Sequence, residues 1–310
     1  MVFDGHSDLL YDVTRRRLAG ERCVLERHHH RQLKAGGVEG LVLTLWAHPE
    51  DGKSYARATE ELFACARGEF AETPWLQVVR TAAEAEQAKQ AGKLYAFLGV
   101  EGMAAMGADL AFIDRYADFG ARLGMLTWNE ENLLATGAGG DPYSGLTELG
   151  KQAVRRMEER RMLVDVSHLN DGGFADVVKQ AAAPVIASHS NCRALCDVRR
   201  NLTDDQLRAI RDTGGVVGVN VYHNFVHADP RHQTAEMLAR HACHMAEVMG
   251  VEHVACGFDF CEYFDPEATG AEGLENSSQI PNFFYWLERH GMSAREREMI
   301  ARENFLRLLA

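Results

Sequence analysis

The sequence predicts an α/β fold, specifically a (β/α)8 barrel of the TIM type. Short apolar runs alternate with longer amphipathic stretches, and this alternation recurs about eight times in 310 residues. No glycine-rich phosphate turn follows the first predicted strand, which disfavours a doubly wound nucleotide-binding sheet. We therefore expect parallel strands with right-handed helical crossovers, forming one catalytic domain over residues 1–310.

The eight predicted strands are short and apolar, and turns or helical patterns separate them. They cover residues 2–6, 40–46, 94–100, 122–127, 162–166, 184–188, 215–221 and 253–257. The clearest predicted helices cover residues 54–68, 147–161, 203–212 and 234–250. Thr147 is a predicted N-cap, and Thr203 and Gln206 have the spacing of a capping box.

The composition excludes several classes of protein. Hydrophobic residues make up 46% and charged residues 25%, the balance of a globular chain. The formal net charge of −12 repels phosphate backbones and anionic lipids, so we expect neither nucleic acid nor membrane partners. There is no long apolar run and no signal-peptide pattern, and the seven scattered cysteines indicate free thiols. These features together predict a cytoplasmic protein.

Side chains that can bind metals follow the apolar strands at their C-terminal ends. His6 and Asp8 follow the first strand at a spacing that points both to one side, Glu101 follows the third, and His168 and His189 follow the fifth and sixth. The C-terminal ends of barrel strands open on one face, so these groups should meet there. We predict two divalent cations, one bound by His6 and Asp8, the other by His168 and His189, with Glu101 as the bridge. Three protein ligands per ion leave room for a shared water whose pKa the cations would lower.

Other polar groups near the same strand ends are suited to catalysis or substrate binding. Asp259 follows the eighth strand and can accept the proton of the attacking water and transfer it to a leaving amine. Arg199 and Arg200 follow the sixth strand, and either is suited to a bidentate pair with a substrate carboxylate. His241 and His244 lie three residues apart on an amphipathic helix, so we expect both to be solvated.

The chain resembles the membrane (renal) dipeptidases and their bacterial relatives, with the shared motifs in one order along its whole length. The motifs are DGHSDL at 4–9, GVEG at 99–102, DVSH at 165–168, SHS at 188–190, RRN at 199–201, GFDF at 257–260 and RENFL at 302–306. The resemblance implies a metal-dependent amidohydrolase-like barrel that hydrolyses dipeptides, including those with a C-terminal D-residue. It also implies two zinc ions, bridged by Glu101 and a water or hydroxide.

By position, the resemblance assigns roles to individual residues. The family's metal ligands correspond to His6, Asp8, Glu101, His168 and His189. Asp259 corresponds to the catalytic acid–base, Arg200 to the group that holds the substrate's terminal carboxylate, and Tyr222 to a further substrate contact. The expected partner is a small dipeptide, and the family often forms homodimers.

One position departs from the family pattern. Residues 126–129 read LTWN, whereas the animal enzymes read LTH, and that histidine helps to bind and polarise the scissile carbonyl. The indole of Trp128 donates one hydrogen bond but carries no charge, and Asn129 has the opposite strand parity. Losing a preorganised donor typically costs about 10²–10³ in rate. Two alternatives to a dipeptidase therefore stay open: hydrolysis of another small amide, such as an N-acyl amino acid or lactam, and metal binding without catalysis.

Overall fold

The computed structural model of the protein describes residues 1–49, 52–264 and 270–309. The strands are β1 (Val2–Ser7), β2 (Val38–Trp46), β3 (Leu76–Val78), β4 (Leu94–Glu101), β5 (Ala121–Met125), β6 (Leu163–Asp165), β7 (Val185–Ile186), β8 (Val217–Val219) and β9 (Val254–Cys256). Each predicted strand overlaps an observed one. Only β3 was not predicted.

The helices follow the strands in the alternation that the sequence predicts. They are α1 (Leu9–Leu18), α2 (His30–Ala35), α3 (Tyr55–Glu72), α4 (Ala82–Gln90), α5 (Ala111–Phe119), α6 (Glu148–Glu159), α7 (Asp171–Gln180), α8 (Asp204–Asp212), α9 (His223–Val226), α10 (Ala235–Met249), α11 (Ile280–Arg289), α12 (Ala294–Glu298) and α13 (Asn304–Leu306). Shorter 3-10 or π segments cover Leu25–His29, Ala104–Met106, Pro230–His232, Val251–His253, Ser277–Gln279 and Met299–Glu303.

The two predicted helix starts are confirmed by their side-chain hydrogen bonds. The hydroxyl of Thr147 accepts a bond from the backbone N–H of Gly150 at the start of α6. At the start of α8, Thr203 and Gln206 form a reciprocal capping box. These bonds satisfy backbone donors that the first helical turn leaves unpaired.

All strand pairs are parallel, and their order is that of a TIM-type barrel. The order is β1-β2-β4-β5-β6-β7, and a bridge between Ala187 and Val217 joins this sheet to the β8-β9 pair. Between the last strand and the first, the N–H of Asp259 donates to the carbonyl of His6 over 3.3 Å. The N–H of Phe258 donates to Oδ1 of Asp4 over 2.9 Å. The strand β3 pairs with the beginning of β4, before β5 begins to pair at Leu98.

The lower interior of the barrel is filled by apolar side chains. Buried residues from successive strands meet there, among them Phe3, Val42, Phe97, Leu123, Ile186 and Ala255. The rings of Phe3 and Phe97 pack edge to face with their centroids 5.9 Å apart. Because this part of the lumen is packed, polar groups can gather only at the C-terminal ends of the strands. Among the described residues, no helix is both long and apolar enough to cross a membrane.

The prediction that His241 is solvated is wrong. Its side chain is fully buried, Nδ1 accepts a hydrogen bond from the N–H of Cys192, and Nε2 donates to the carbonyl of Val226. Burial lowers the pKa of His241 to about 4. Its two hydrogen-bond partners lie on the segment after β7 and on α9, so these segments cover the face of α10 that carries His241. His244 is partly exposed and pairs with Asp204 over 2.8 Å.

Candidate active site

The ends of β1 and β4 bring the first three predicted ligands together. Nε2 of His6 lies 3.4 Å from Oε2 of Glu101 and 3.6 Å from Oδ1 of Asp8. All three side chains are buried, at 0%, 3% and 7% exposure respectively. The hydroxyl of Thr44, from the neighbouring strand β2, donates to the carboxylate of Asp8 and fixes its direction.

The two remaining predicted ligands approach Glu101 from the other side. Nε2 of His168 lies 2.8 Å from Oε1 of Glu101, and Nε2 of His189 lies 3.9 Å from the same oxygen. The two Nε2 atoms are 2.9 Å apart. The two oxygens of Glu101 therefore face different histidines, an arrangement suited to a carboxylate that bridges two cations.

Hydrogen bonds at Nδ1 orient all three histidine rings. The hydroxyl of Ser188 lies 3.3 Å from Nδ1 of His6 and 2.8 Å from Nδ1 of His189. Oδ1 of Asn129 lies 3.0 Å from Nδ1 of His168. With a proton on each Nδ1, every Nε2 keeps a free lone pair directed at the cluster, as metal-binding histidines require.

The electrostatics of the cluster fit bound cations. Burial, followed by the charge of Asp8, raises the pKa of Glu101, and burial lowers the pKa values of His168 and His189. Among the described residues, Nε2 of His6 and Oε2 of Glu101 are buried without a hydrogen-bond partner. Buried carboxylates and lone pairs of this kind are costly unless a cation compensates them. Nitrogen and oxygen donors in this number suit zinc.

Asp259 lies at the same rim in a left-handed backbone conformation with a φ of 58°. Its Oδ1 is 3.8 Å from Nε2 of His6, and its Oδ2 accepts a hydrogen bond from Asn220 over 3.0 Å. Burial raises the pKa of Asp259 to about 6. A non-glycine residue with positive φ is uncommon and occurs often where function fixes a side chain.

The structure separates the two arginines that the sequence left as alternatives. Arg200 is buried, and its guanidinium donates to Oγ of Ser190 over 3.4 Å and to the carbonyl of His189 over 3.3 Å. Burial lowers the pKa of Arg200 to about 10, and its Nε has no partner among the described residues. Arg199 is exposed and donates to the carbonyl of Gly140. Arg200 is therefore the arginine beside the metal-ligand cluster.

Tyr222 and Trp128 lie near different residues of the site. The ring of Tyr222 packs against Phe225 with centroids 4.8 Å apart, and Phe225 in turn lies 5.3 Å from the Arg200 guanidinium. The indole of Trp128 lies 6.2 Å from the ring of His168. All predicted site residues are thus found around one rim.

Sequence reasoning missed Asn129 and Ser188 as orienting groups. The sequence-based prediction assumed that strand alternation continues to Asn129, which would turn its side chain away from the site. The strand β5 ends at Met125, so strand alternation does not extend to residue 129. Ser188 likewise lies beyond the end of β7 at Ile186. A polar residue close to a predicted histidine ligand is the signal that could have identified Ser188.

Comparisons with known proteins identify the family of the chain. The sequence model of the family described as membrane dipeptidase (peptidase family M19) matches residues 1–310. A protein of Klebsiella pneumoniae, described as an uncharacterized protein in the pqqA 5′ region, is 32% identical over 243 residues, covering 76% of this chain and 88% of that protein.

Two solved structures are similar over nearly the whole chain. The dipeptidase AC, a metallopeptidase of family M19, has a TM-score of 0.88 and 28% identity, covering 99% of this chain and 97% of its own. A metallopeptidase from Rhodobacter sphaeroides, liganded with a phosphinate mimic of the dipeptide L-Ala-D-Ala, has a TM-score of 0.88 and 27% identity, covering 99% of this chain and 98% of its own.

Proposed function

The chain belongs to the membrane dipeptidase family, the metallopeptidases of family M19, and from this membership we propose that it is a binuclear zinc dipeptidase. The observation that carries the proposal is the position of Glu101. Its two oxygens face His6 on one side and His168 on the other, within one buried cluster. A metal-independent hydrolase would have no need for this arrangement.

The distances support the predicted ligand sets. His6 and Asp8 would hold one zinc ion, His168 and His189 the other, and Glu101 both. Bound zinc would polarise the scissile carbonyl and acidify a bridging water, so that hydroxide is available near neutral pH.

Asp259 would carry the proton between the two halves of the reaction. A group in this role needs a pKa close to the working pH, and burial raises the pKa of Asp259 to about 6. Asn220 holds one of its oxygens, which leaves the other facing the cluster. The carboxylate would take the proton of the attacking water and give it to the leaving amine.

Arg200 would hold the terminal carboxylate of a dipeptide. Its guanidinium is buried and pairs with no carboxylate among the described residues, so an incoming carboxylate would compensate its charge. We propose Tyr222 and Trp128 as further substrate contacts. The bound mimic of L-Ala-D-Ala in the Rhodobacter sphaeroides relative supports acceptance of a C-terminal D-residue.

We further propose that residues 1–310 act as one catalytic domain, because the site needs residues from both β1 and the end of β9. The seven free cysteines support a reducing, cytoplasmic location, which cell fractionation would test.

Purified, zinc-supplemented protein tests the function with L-Ala-L-Ala, L-Ala-D-Ala and a panel of N-acyl amino acids and lactams. We expect turnover of dipeptides, and a loss of at least about 10²-fold in kcat for Asp259→Asn. Asp197→Asn, on an exposed carboxylate, serves as the matched control. Turnover of the N-acyl amino acids or lactams, without turnover of the dipeptides, would favour an amidohydrolase that acts on another small amide. Zinc binding without turnover of any of these substrates, with Asp259→Asn indistinguishable from the parent, would favour a protein that has lost catalysis.

The alternative function, hydrolysis of another small amide, rests on Trp128, which occupies the position where the family histidine is expected. Its indole N–H offers a neutral donor in place of an imidazole. This would slow dipeptide turnover or shift the preferred amide, and the same substrate panel separates the two outcomes.

A further inference from the structure

A narrow crevice opens beside the metal-ligand cluster, on the side of Trp128. The residues that line it include Trp46, His48, Tyr55 and Trp128, together with Glu101 and Glu130. The free space in it is about 10 Å³, which is room for one water-sized group. The same crevice is thus lined by a predicted metal ligand and by a second carboxylate that has no role in the mechanism above.

The carboxylate of Glu130 has no partner in the described part of the chain. Both of its oxygens are shielded from solvent, and neither has a hydrogen-bond partner. His48 lies in the same crevice, but its imidazole packs on Trp46 and Trp128 and forms no ion pair with Glu130. The nearby charge of Glu130, together with burial, raises the pKa of Tyr55. An unpaired, buried carboxylate is costly to fold, so a group that is absent from the free protein is expected to compensate it.

We propose that Glu130 and the aromatic walls of this crevice bind a primary ammonium group carried by the amino-terminal residue of the substrate. The size of the free space favours an ammonium, which is close to a water molecule in size, over the larger guanidinium. The indoles of Trp46 and Trp128 line the crevice, and aromatic rings attract cations through their negative faces. A carboxylate completes the site with a charge-assisted hydrogen bond.

This inference rests on the proposed dipeptidase function and deepens it. In a dipeptide, the α-ammonium is separated from the scissile carbonyl carbon by one carbon atom. A crevice lined by both Glu101 and Glu130 would receive it while the carbonyl lies over the cluster. An N-acyl amino acid has no such cation and would leave Glu130 unpaired, so this crevice would select dipeptides against acylated substrates. The ε-ammonium of a lysine side chain is the other primary ammonium group that could bind at Glu130.

The test measures binding without turnover, by titrating the tryptophan fluorescence of the full-length, zinc-supplemented protein. The probes are alaninamide, with an α-ammonium; N-acetyl-lysinamide, with a side-chain ammonium; and N-acetylalaninamide, with none. We expect Glu130→Gln to weaken binding of at least one ammonium probe at least about tenfold and to leave the neutral probe unchanged. The probe that loses affinity identifies the source of the ammonium. Glu131→Gln, on the exposed neighbouring carboxylate, is the matched control and should match the parent protein.

Thermal melting gives an independent readout. Because Glu130→Gln removes an unpaired buried charge, we expect the variant to melt at a higher temperature than the parent. Affinities within twofold of the parent for both ammonium probes, or a lower melting temperature, would overturn the proposal. If the parent protein hydrolyses no dipeptide, the proposed function fails, whereas the binding titrations still decide the role of Glu130.

Discussion

The side-chain oxygen of Asn129 lies 3.0 Å from Nδ1 of His168, on the ring edge opposite the one that faces Glu101. Asn129 follows Trp128, the residue at which the chain departs from the family pattern. The loop that carries Trp128 in place of an imidazole therefore positions His168, a predicted metal ligand. This contact fixes both the orientation of His168 and the nitrogen that carries its proton.

We expect Asn129→Ala to weaken metal binding. Without the acceptor, the His168 ring can rotate and change tautomer, and such losses typically cost about 10–100-fold in metal affinity. Competition with a chromophoric chelator measures the change. Asn129→Asp keeps an acceptor at the same place and should restore affinity. Equal affinity for the alanine variant and the parent would show that the contact does not orient the ligand.

Replacing Arg200 should damage substrate binding more than chemistry. Arg200→Gln removes the buried guanidinium beside the cluster, and losing its charge-assisted hydrogen bonds should lower kcat/KM by about 10²-fold, mostly through KM. Steady-state kinetics on dipeptides measure the effect. Arg199→Gln is the control and should stay within twofold of the parent, because Arg199 is exposed. A larger loss in the Arg199 variant would reverse the two assignments.

Stability should fall as the pH drops from about 6.5 to about 4, because of His241. The folded pKa of His241, about 4, is below the ordinary value of 6.5, so the unfolded chain takes up a proton that the folded protein cannot. This contribution is fully present above pH 6.5, and about 2 kcal/mol of it is lost between pH 7 and pH 5. Urea unfolding at the two pH values measures the loss, which should largely vanish in a His241→Gln variant and persist in His244→Gln.

Removing the metal should lower both activity and stability. Without cations, the carboxylates of Asp8, Glu101 and Asp259 remain buried close together, which destabilises the folded chain. Metal at about a thousandfold above its dissociation constant would stabilise the protein by about 4 kcal/mol. Calorimetry before and after dialysis against a chelator checks this, and added zinc should reverse the change. An unaltered melting temperature and unaltered activity would contradict a metal site.

The sequence alone predicted the barrel, and it predicted that polar groups follow the ends of the strands. The reasons differ between individual strands. The strand β4 is apolar up to Glu101, which therefore stands out at its end, whereas β1 also carries Asp4 before His6. Asp8 lies beside His6, although β1 ends at Ser7 and strand alternation does not extend to residue 8. These predictions depend on local pattern and on one rule for barrels, that catalytic groups collect at the C-terminal ends of strands.

The groups that orient the ligands were harder to predict, because their positions depend on loop geometry. Asn129 lies beyond the end of β5, where alternation no longer tells which way a side chain points. The roles of Ser188 and Glu130 depend on which distant residues the fold brings, or does not bring, to them. His241 was misjudged because the amphipathic pattern of α10 does not show that distant segments, at Cys192 and Val226, cover the helix there.

The contacts that join the ends of β9 and β1 also determine when the site can form during synthesis. His6 leaves the ribosome well before the groups that close the barrel beside it, Phe258 and Asp259, which follow the last strand. During translation of the barrel, the predicted ligands at the end of β1 therefore lack these neighbours. Metal capture in the native geometry must wait until the C-terminal part of the chain has been released and has docked.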